Sequence, residues 1–280
     1  MNGYEKICKH RIRRKGARRD SGGLVCYFKN EIWGGITCCP CDLEDMLVFK
    51  LDKLFFGFDN HVFLICPYMR PITSTRNILV TGVDSFEILS DKIAELSNLG
   101  DIVIVGDLNA RTGNLTDFIN DNVSDNDAHE GSFVEDNDDI IVCGDLIANN
   151  MSINRNSEDK GSNEYGKKLI ELCKMSNILI LNGRAGQDKS IGKFTFCNHM
   201  GPSINDYALC TKNVLRNVED FYVCNANVFS DHSFICLKIK CNVDCNSNVT
   251  QLNEKSSNIK MKERERWEIL SPQTKLKTVV

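Results

Sequence analysis

The sequence lacks any apolar run near the roughly 18 residues that would cross a membrane, and no such stretch occurs anywhere in its 280 residues. It also lacks an apolar segment behind Met1, so it reads as not secreted and its cysteines as reduced, intracellular thiols. A strong charge excess is absent too. Lys and Arg number 34 against 38 Asp and Glu, a net charge of -4, and that total does not mark a polyanion binder. Finally, a second cysteine pair for zinc is missing. Cys38-Cys39-Pro40-Cys41 contains a C-x-x-C, but Cys241 and Cys245 form only a C-x-x-x-C in a polar tail, outside zinc-ligand spacing.

The 14 cysteines sit mostly inside apolar runs, as Cys66, Cys173 and Cys236 do, where a thiol behaves as a small hydrophobe. Charge is unevenly spread. Residues 1–20 carry the basic run KHRIRRKGARR (Lys9–Arg19), either a phosphate contact or a solvated arm. The stretch of about 116–160 is acidic and rich in Asn, Asp and Ser, which reads as a surface insertion with a short strand at Ile140–Cys143. Residues 241–280 read as a polar linker ending in a short helix at KERERWEIL. The body is residues 21–240.

Within that body, short apolar runs at Leu24–Phe28, His61–Cys66, Ile102–Val105, Ile178–Leu181 and Phe234–Lys240 read as strands. Two segments read as helices. In DSFEILSDKIAELSNLG, Phe86, Leu89, Ile93 and Leu96 share a face, Asp84 with Glu87 resembles a capping box, and Gly100 is a stop. In NEYGKKLIELCKMSN, Tyr165, Leu169, Leu172 and Met175 form the stripe and Asn163 is the cap. Each helix runs into an apolar strand. Such alternation, mixed with hairpin-like runs, predicts a mixed α/β sandwich.

Four places carry chemistry. Asp107 and Asn109 in GDLN are two apart, so they project together if strand geometry persists past Gly106. Ser203-Ile-Asn-Asp206-Tyr207 supplies a second carboxylate. Ser230-Asp231-His232-Ser233, just before the last strand, offers a metal ligand and a general acid or base. Cys66-Pro67-Tyr68-Met69-Arg70-Pro71 closes another strand. Taken singly, each has a plain alternative: Asp107 and Asn109 as turn residues, Asp231 as a loop cap, His232 as a surface histidine, Tyr68 as a strand-end aromatic. The Gly144-Asp145-Leu146 echo of GDL is followed by Ile147, not Asn.

Taken in order, the pieces SGGLVCYFKNEIWGG, CPYMRP, VGDLNARTG, NEYGKKLIELCKMSNILILNGR, GKFTF, SINDYAL and FSDHSFI resemble the endonuclease/exonuclease/phosphatase superfamily. The resemblance is strongest to the apurinic-endonuclease-like domain of non-LTR retrotransposons, and it covers roughly residues 20–240. It implies a four-layer αββα fold and metal-dependent hydrolysis of phosphodiesters in DNA, with magnesium as cofactor and manganese as the alternative. By position, Asp107 orients the attacking water and Asn109 positions it against phosphate. Asp231 holds the metal. His232, supported by Asp206, stabilises the developing negative charge, and Tyr68 contacts phosphate. Asp145 falls away as a decoy. A DNA substrate implies the nucleus; no membrane or protein partner is implied.

The resemblance also implies two further strands ahead of Ser21, one ending in a catalytic Asn and the next carrying a metal-binding Glu. The twenty residues before Ser21 are basic and polar and match neither. The expectation is therefore a sandwich with its N-terminal strands missing and impaired activity. A catalytically dead nucleic-acid or protein-binding module is the alternative.

Overall fold

The computed structural model describes residues 3–11, 22–41, 43–71, 84–119 and 143–242. Strands β1 (Tyr4–His10) and β2 (Gly23–Lys29) form an antiparallel hairpin, followed by the short helix α1 (Asn30–Trp33). The chain then builds β3 (Ile36–Cys39) and β4 (Met46–Leu51). Asp52 caps α2 (Lys53–Phe56) by accepting from the Leu54 and Phe55 amides. Strand β5 (Val62–Pro67) leads through helix α3 (Ser85–Ser97) to β6 (Asp101–Asp107). The β5–β6 pair is parallel, because a helical crossover returns the chain in the same direction.

Downstream come α4 (Cys143–Ala148), α5 (Glu164–Ser176) and β7 (Ile178–Ile180). They are followed by the hairpin β8 (Phe196–Asn198) and β9 (Gly201–Ser203), then β10 (Asp206–Thr211), α6 (Lys212–Leu215), β11 (Val218–Val223) and β12 (Ile235–Ile239). One six-stranded mixed sheet has the order β3-β4-β5-β6-β10-β7. Strand β6 is buried at every position, as expected of a central strand covered on both faces.

Both long helices start and pack as their sequences dictate. Asp84 accepts from the Phe86 amide, and Asn163 accepts from the Gly166 amide. Helix α3 buries Phe86, Leu89, Ile93 and Leu96. Helix α5 buries Tyr165, Leu169 and Leu172 with Ile170 and Cys173, and stops at Asn177 in the left-handed region (φ 49°). Met175 departs from the expected stripe: it is 81% exposed, because the last turn runs past the edge of the packed face. Together the helices cover one face of the sheet through Ile65, Ile102, Ile104, Ile180 and Leu209.

The opposite face carries a second strand layer made of two separate pairs. The β11–β12 pair packs Phe221, Val223 and Ile235 against Val103, Val105, Leu179 and Ala208. The β1–β2 hairpin packs Leu24, Cys26 and Phe28 near Leu47, Phe49 and Cys66. Helix layer, six-stranded sheet and second strand layer thus stack in the order expected of an αββα sandwich, a mixed α/β fold. No helix among the described residues is long and apolar enough to cross a membrane.

Two segments differ from their sequence reading. The N-terminal arm contains a real strand: Tyr4–His10 is half-polar, yet it pairs in full register with β2 and turns Ile7 toward the third cluster. The ends of the acidic stretch are core, since Asp117, Phe118, Leu146, Met151, Arg155 and Asp159 are all buried. The physical reason is pairing, which a count of acidic residues cannot reveal: Asp117 meets Arg184, and Asp159 meets Arg111. Of the short strand expected at 140–143, residues 140–142 lie outside the described residues and Cys143 opens a helix. The helix expected within 262–270 lies outside them as well.

Candidate catalytic site

The site begins with register. Strands β6 and β10 run antiparallel, and Asp107 lies directly opposite Asp206. Cross-strand neighbours share a face, so two carboxylates meet at one sheet end. Gly106 makes this possible. A Cβ there would stand 2.1 Å from the Pro67 carbonyl oxygen, so any side chain would push the end of β5 away from β6. That closeness also brings Tyr68 alongside, in a parallel bridge to Asp107. The Tyr68 amide donates to the Asp45 carbonyl, and the Met69 amide to the Asp107 carbonyl.

His232 arrives from the other layer. It bridges to Phe196 in β8 and its ring stands edge-on to the Phe196 ring, centroids 4.7 Å apart. Its Nδ1 lies 2.8 Å from Asp206 Oδ2, and its Nε2 lies 3.9 Å from Asp107 Oδ2. Asp107, Asp206 and His232 each present one ligand atom, all within 4.8 Å of one another. Among the described residues no other group of this kind exists. The His232 side chain is 14% exposed and the two carboxylates less so. The cluster therefore lies largely buried at the sheet end, with His232 its most exposed member.

The other predicted residues take different places. Strand geometry stops at Asp107, so Asn109 does not project beside it along a continuing strand. It turns into the left-handed region (φ 46°), which asparagine tolerates better than most side chains. Both of its donors then act locally: the Asn109 backbone N–H donates to Asp107 Oδ1 at 3.0 Å, and Nδ2 donates to the Met69 carbonyl at 2.7 Å. Asn109 thus ties the Asp107 carboxylate to the chain after Tyr68. The Tyr68 ring lies under the Arg11 guanidinium, 4.8 Å from its centroid, which brings a residue of the basic arm to this edge. Asp231 is exposed, its carbonyl accepts from the Cys197 amide, and its carboxylate is not gathered with the other three.

Several positioning residues escaped the sequence reading. Thr195 Oγ1 accepts from both the Asn205 and Asp206 amides at 3.0 Å, and the Thr195 carbonyl accepts from the Ser233 amide. It therefore joins the two chain segments that bring Asp206 and His232 together. Asn182 continues the sheet beyond β7: its Nδ2 donates to the Asp206 carbonyl and its Oδ1 accepts from the Ala208 amide. The GKFTF and NGR motifs were visible, but nothing in one sequence says that their Thr and Asn aim at β10. In ARTG, Arg111 grips Asp159 through Nε and Nη2 at 2.8 and 2.6 Å, a latch well away from the acid cluster's ligand atoms. Beneath it Tyr207 donates to the Ala110 carbonyl at 2.9 Å, and burial pushes its hydroxyl up to about 12.

No protein-family model matches the sequence, and no curated protein matches it. Solved structures do. The AP endonuclease LMAP of Leishmania major superposes with a TM-score of 0.54 at 14% identity, over 85% of this chain and 71% of that one. The endonuclease domain of TRAS1, a telomere-specific non-LTR retrotransposon, gives 0.48 at 14%, over 86% and 80%. The 3'-5' exonuclease NExo of Neisseria meningitidis gives 0.47 at 13%, over 85% and 80%. The superposition on LMAP shows a shared fold, a mixed α/β sandwich.

Proposed function

We propose that this chain is a divalent-metal-dependent phosphodiester hydrolase, a DNA endonuclease-like domain of retrotransposon origin working on a nuclear substrate. The observation that carries the reading is the meeting of Asp107, Asp206 and His232 at one sheet end. Two carboxylates gathered at one sheet end suit a hard divalent cation, and magnesium commonly keeps waters and substrate oxygens as its remaining ligands. Asp107 and Asp206 would hold it, with Asp231 near enough in the chain to contribute. The metal would supply charge neutralisation at the phosphate and a more acidic bound water.

The chain's own residues do the rest. Asp206 Oδ2 lies 2.8 Å from Nδ1 of His232; as acceptor from Nδ1–H it would fix the ring with Nε2 on the Asp107 side. From there Nε2 can donate to a phosphate oxygen as negative charge develops. Asp107 faces the same space and can accept a proton from, or orient, an attacking water. Asn109 holds Asp107 in place through its backbone N–H. Tyr68, bridged to Asp107 through its backbone, would contact phosphate. GDLNARTG and NGR, matching the retrotransposon branch in sequence, support that origin.

The test is nicking of supercoiled plasmid by the purified chain with magnesium or manganese. Nicking that is lost in both Asp107→Ala and His232→Ala supports hydrolysis at this site. The exposure of Asp231, away from the gathered ligand atoms, favours a second reading, a nucleic-acid-binding module without catalysis. Retention of plasmid without nicking in either metal would replace the first reading by the second.

A further inference from the structure

The basic run near the N-terminus opens with Lys9, His10 and Arg11. Lys9 is used for structure. Its Nζ donates to the Cys41 and Met46 carbonyls, which ties the end of β1 to the start of β4. Arg11, one residue past β1, is held from three sides. Its Nε donates to Asp45 Oδ1. Its guanidinium lies over the Tyr68 ring, 4.8 Å from the centroid, a stacking that suits a flat, weakly hydrated cation. Gly22 lies against Cζ and Nη1, where a Cβ would collide with both.

Arg11 makes no other hydrogen bond among the described residues. Nη1 and Nη2 therefore keep their donors, on a side chain that is 16% exposed. Its charge is also only partly balanced. Asp45 is shared, because its second oxygen pairs with Arg70, and Arg70 also donates to Glu44 at 3.2 Å. Arg70 thus meets both carboxylates, while Arg11 has one oxygen of one. A guanidinium fixed through Nε and stacked on a ring, with Nη1 and Nη2 unspent, is pre-organised to grip an oxyanion with two prongs.

We infer that Arg11 is a phosphate-binding residue, taking the DNA backbone phosphate next to the one presented to Asp107 and His232; this rests on the reading of the site as one for phosphodiesters. Its place in the fold is the reason. Tyr68 is bridged to Asp107. The Tyr68 amide donates to the carbonyl of Asp45, the same residue whose carboxylate holds Arg11. Arg11, Asp45 and Tyr68 are therefore one connected unit beside the carboxylate cluster. A strand that offers one phosphate to that cluster carries another one nucleotide along, and a fixed guanidinium at this edge would hold it. Such a contact sets the register of a nucleic acid without reading its sequence. It also makes the N-terminal hairpin part of the binding surface.

The experiment follows binding of a short fluorescein-labelled DNA duplex by anisotropy over a series of salt concentrations, without divalent metal so that no cleavage intervenes. Each phosphate contact contributes roughly 0.9 to the slope of log affinity against log salt. Arg11→Gln should weaken binding by about tenfold and flatten that slope by roughly one. A role in folding alone would not change the slope. Arg216→Gln, beyond the far end of β10 and paired with Asp59, should keep the wild-type slope. Arg11→Lys keeps the charge but not the fork, so it should keep the slope and lose about threefold in affinity; it decides the matter if Arg11→Gln does not fold. A wild-type slope in Arg11→Gln, an equal flattening in Arg216→Gln, wild-type affinity in Arg11→Lys, or no binding by the wild type overturns the inference. Plasmid nicking with magnesium reports separately on hydrolysis. An Arg11-dependent slope without nicking keeps the phosphate contact and removes the hydrolase; nicking with an Arg11-independent slope does the reverse.

Discussion

Two acid–base pairs in this molecule use similar parts for opposite ends. Asp117 with Arg184 lies beneath the sheet end, and Asp206 with His232 lies at its mouth. Arg184 and Asp117 are 1% and 0% exposed. Every N–H of the guanidinium is used: Nε on the Ser152 carbonyl, Nη1 on Asp117 and the Ile180 carbonyl, Nη2 on Asp117 and the Ile153 carbonyl. Asp117 also accepts from the Ile180 amide. At the mouth, His232 gives one nitrogen to Asp206 and holds the other 3.9 Å from Asp107, beyond hydrogen-bond distance. A saturated, sealed pair can only hold structure. A pair whose ring also faces a second carboxylate at the sheet end can do chemistry.

The strongest way to break this contrast is to remove one partner from each pair. Asp117→Ala leaves a buried guanidinium without its counter-ion, and denaturant unfolding should show a loss of about 3–5 kcal/mol. His232→Ala should lower plasmid nicking by roughly 10²–10³-fold, the scale for losing one transition-state donor, while unfolding shifts by only about 1 kcal/mol. If His232→Ala unfolds the protein as Asp117→Ala does, the two pairs are not different in kind.

Acidity sharpens the comparison. Burial pushes the Asp117 carboxyl up, but Arg184, Arg155 and the Ile180 amide outweigh it and hold it below the usual carboxylate range. A carboxyl lowered by folding stabilises above its unfolded value, about 3.9, and that contribution is lost as pH falls through the folded value. Wild-type unfolding free energy should therefore drop steadily below about pH 4. An Asp117→Asn, Arg184→Met double variant should show a shallower slope over the same range. Identical slopes would mean that the pair does not govern acid stability.

Smaller effects follow at the periphery. Asp231→Ala should weaken metal dependence of nicking by about tenfold or more if its carboxylate joins the ion, with magnesium titration as the readout. Equal magnesium requirements in wild type and variant would leave Asp107 and Asp206 as the ion's holders. Arg111→Lys should be the mildest change. It breaks the two-pronged grip on Asp159 but keeps the charge, and because Arg111 is partly exposed the cost should be only about 1 kcal/mol in unfolding.

The long helices were legible because capping and 3.6-residue periodicity are local. Asp84 and Asn163 cap where their sequence neighbours say they should. The strand β1 was not legible, since YEKICKH alternates weakly and is held by its ladder with β2. Nor were the buried ends of the acidic stretch, because Asp117 and Asp159 owe their burial to arginines 67 and 48 positions away in the chain. Asn109 shows the limit within the site: spacing of two placed it beside Asp107 only as long as the strand continued, and the strand ends at Asp107 itself, two residues short of Asn109.

By itself the sequence determined the mixed α/β character, the two amphipathic helices and the order of GDLN, SINDY and SDH along the chain, because each depends on neighbours a few residues apart. Only the tertiary structure decided that Asp107 lies opposite Asp206 and that His232 comes to both from another layer. Those meetings are set by strand register and layer packing. They link residues that chain order leaves 26 to 125 positions apart.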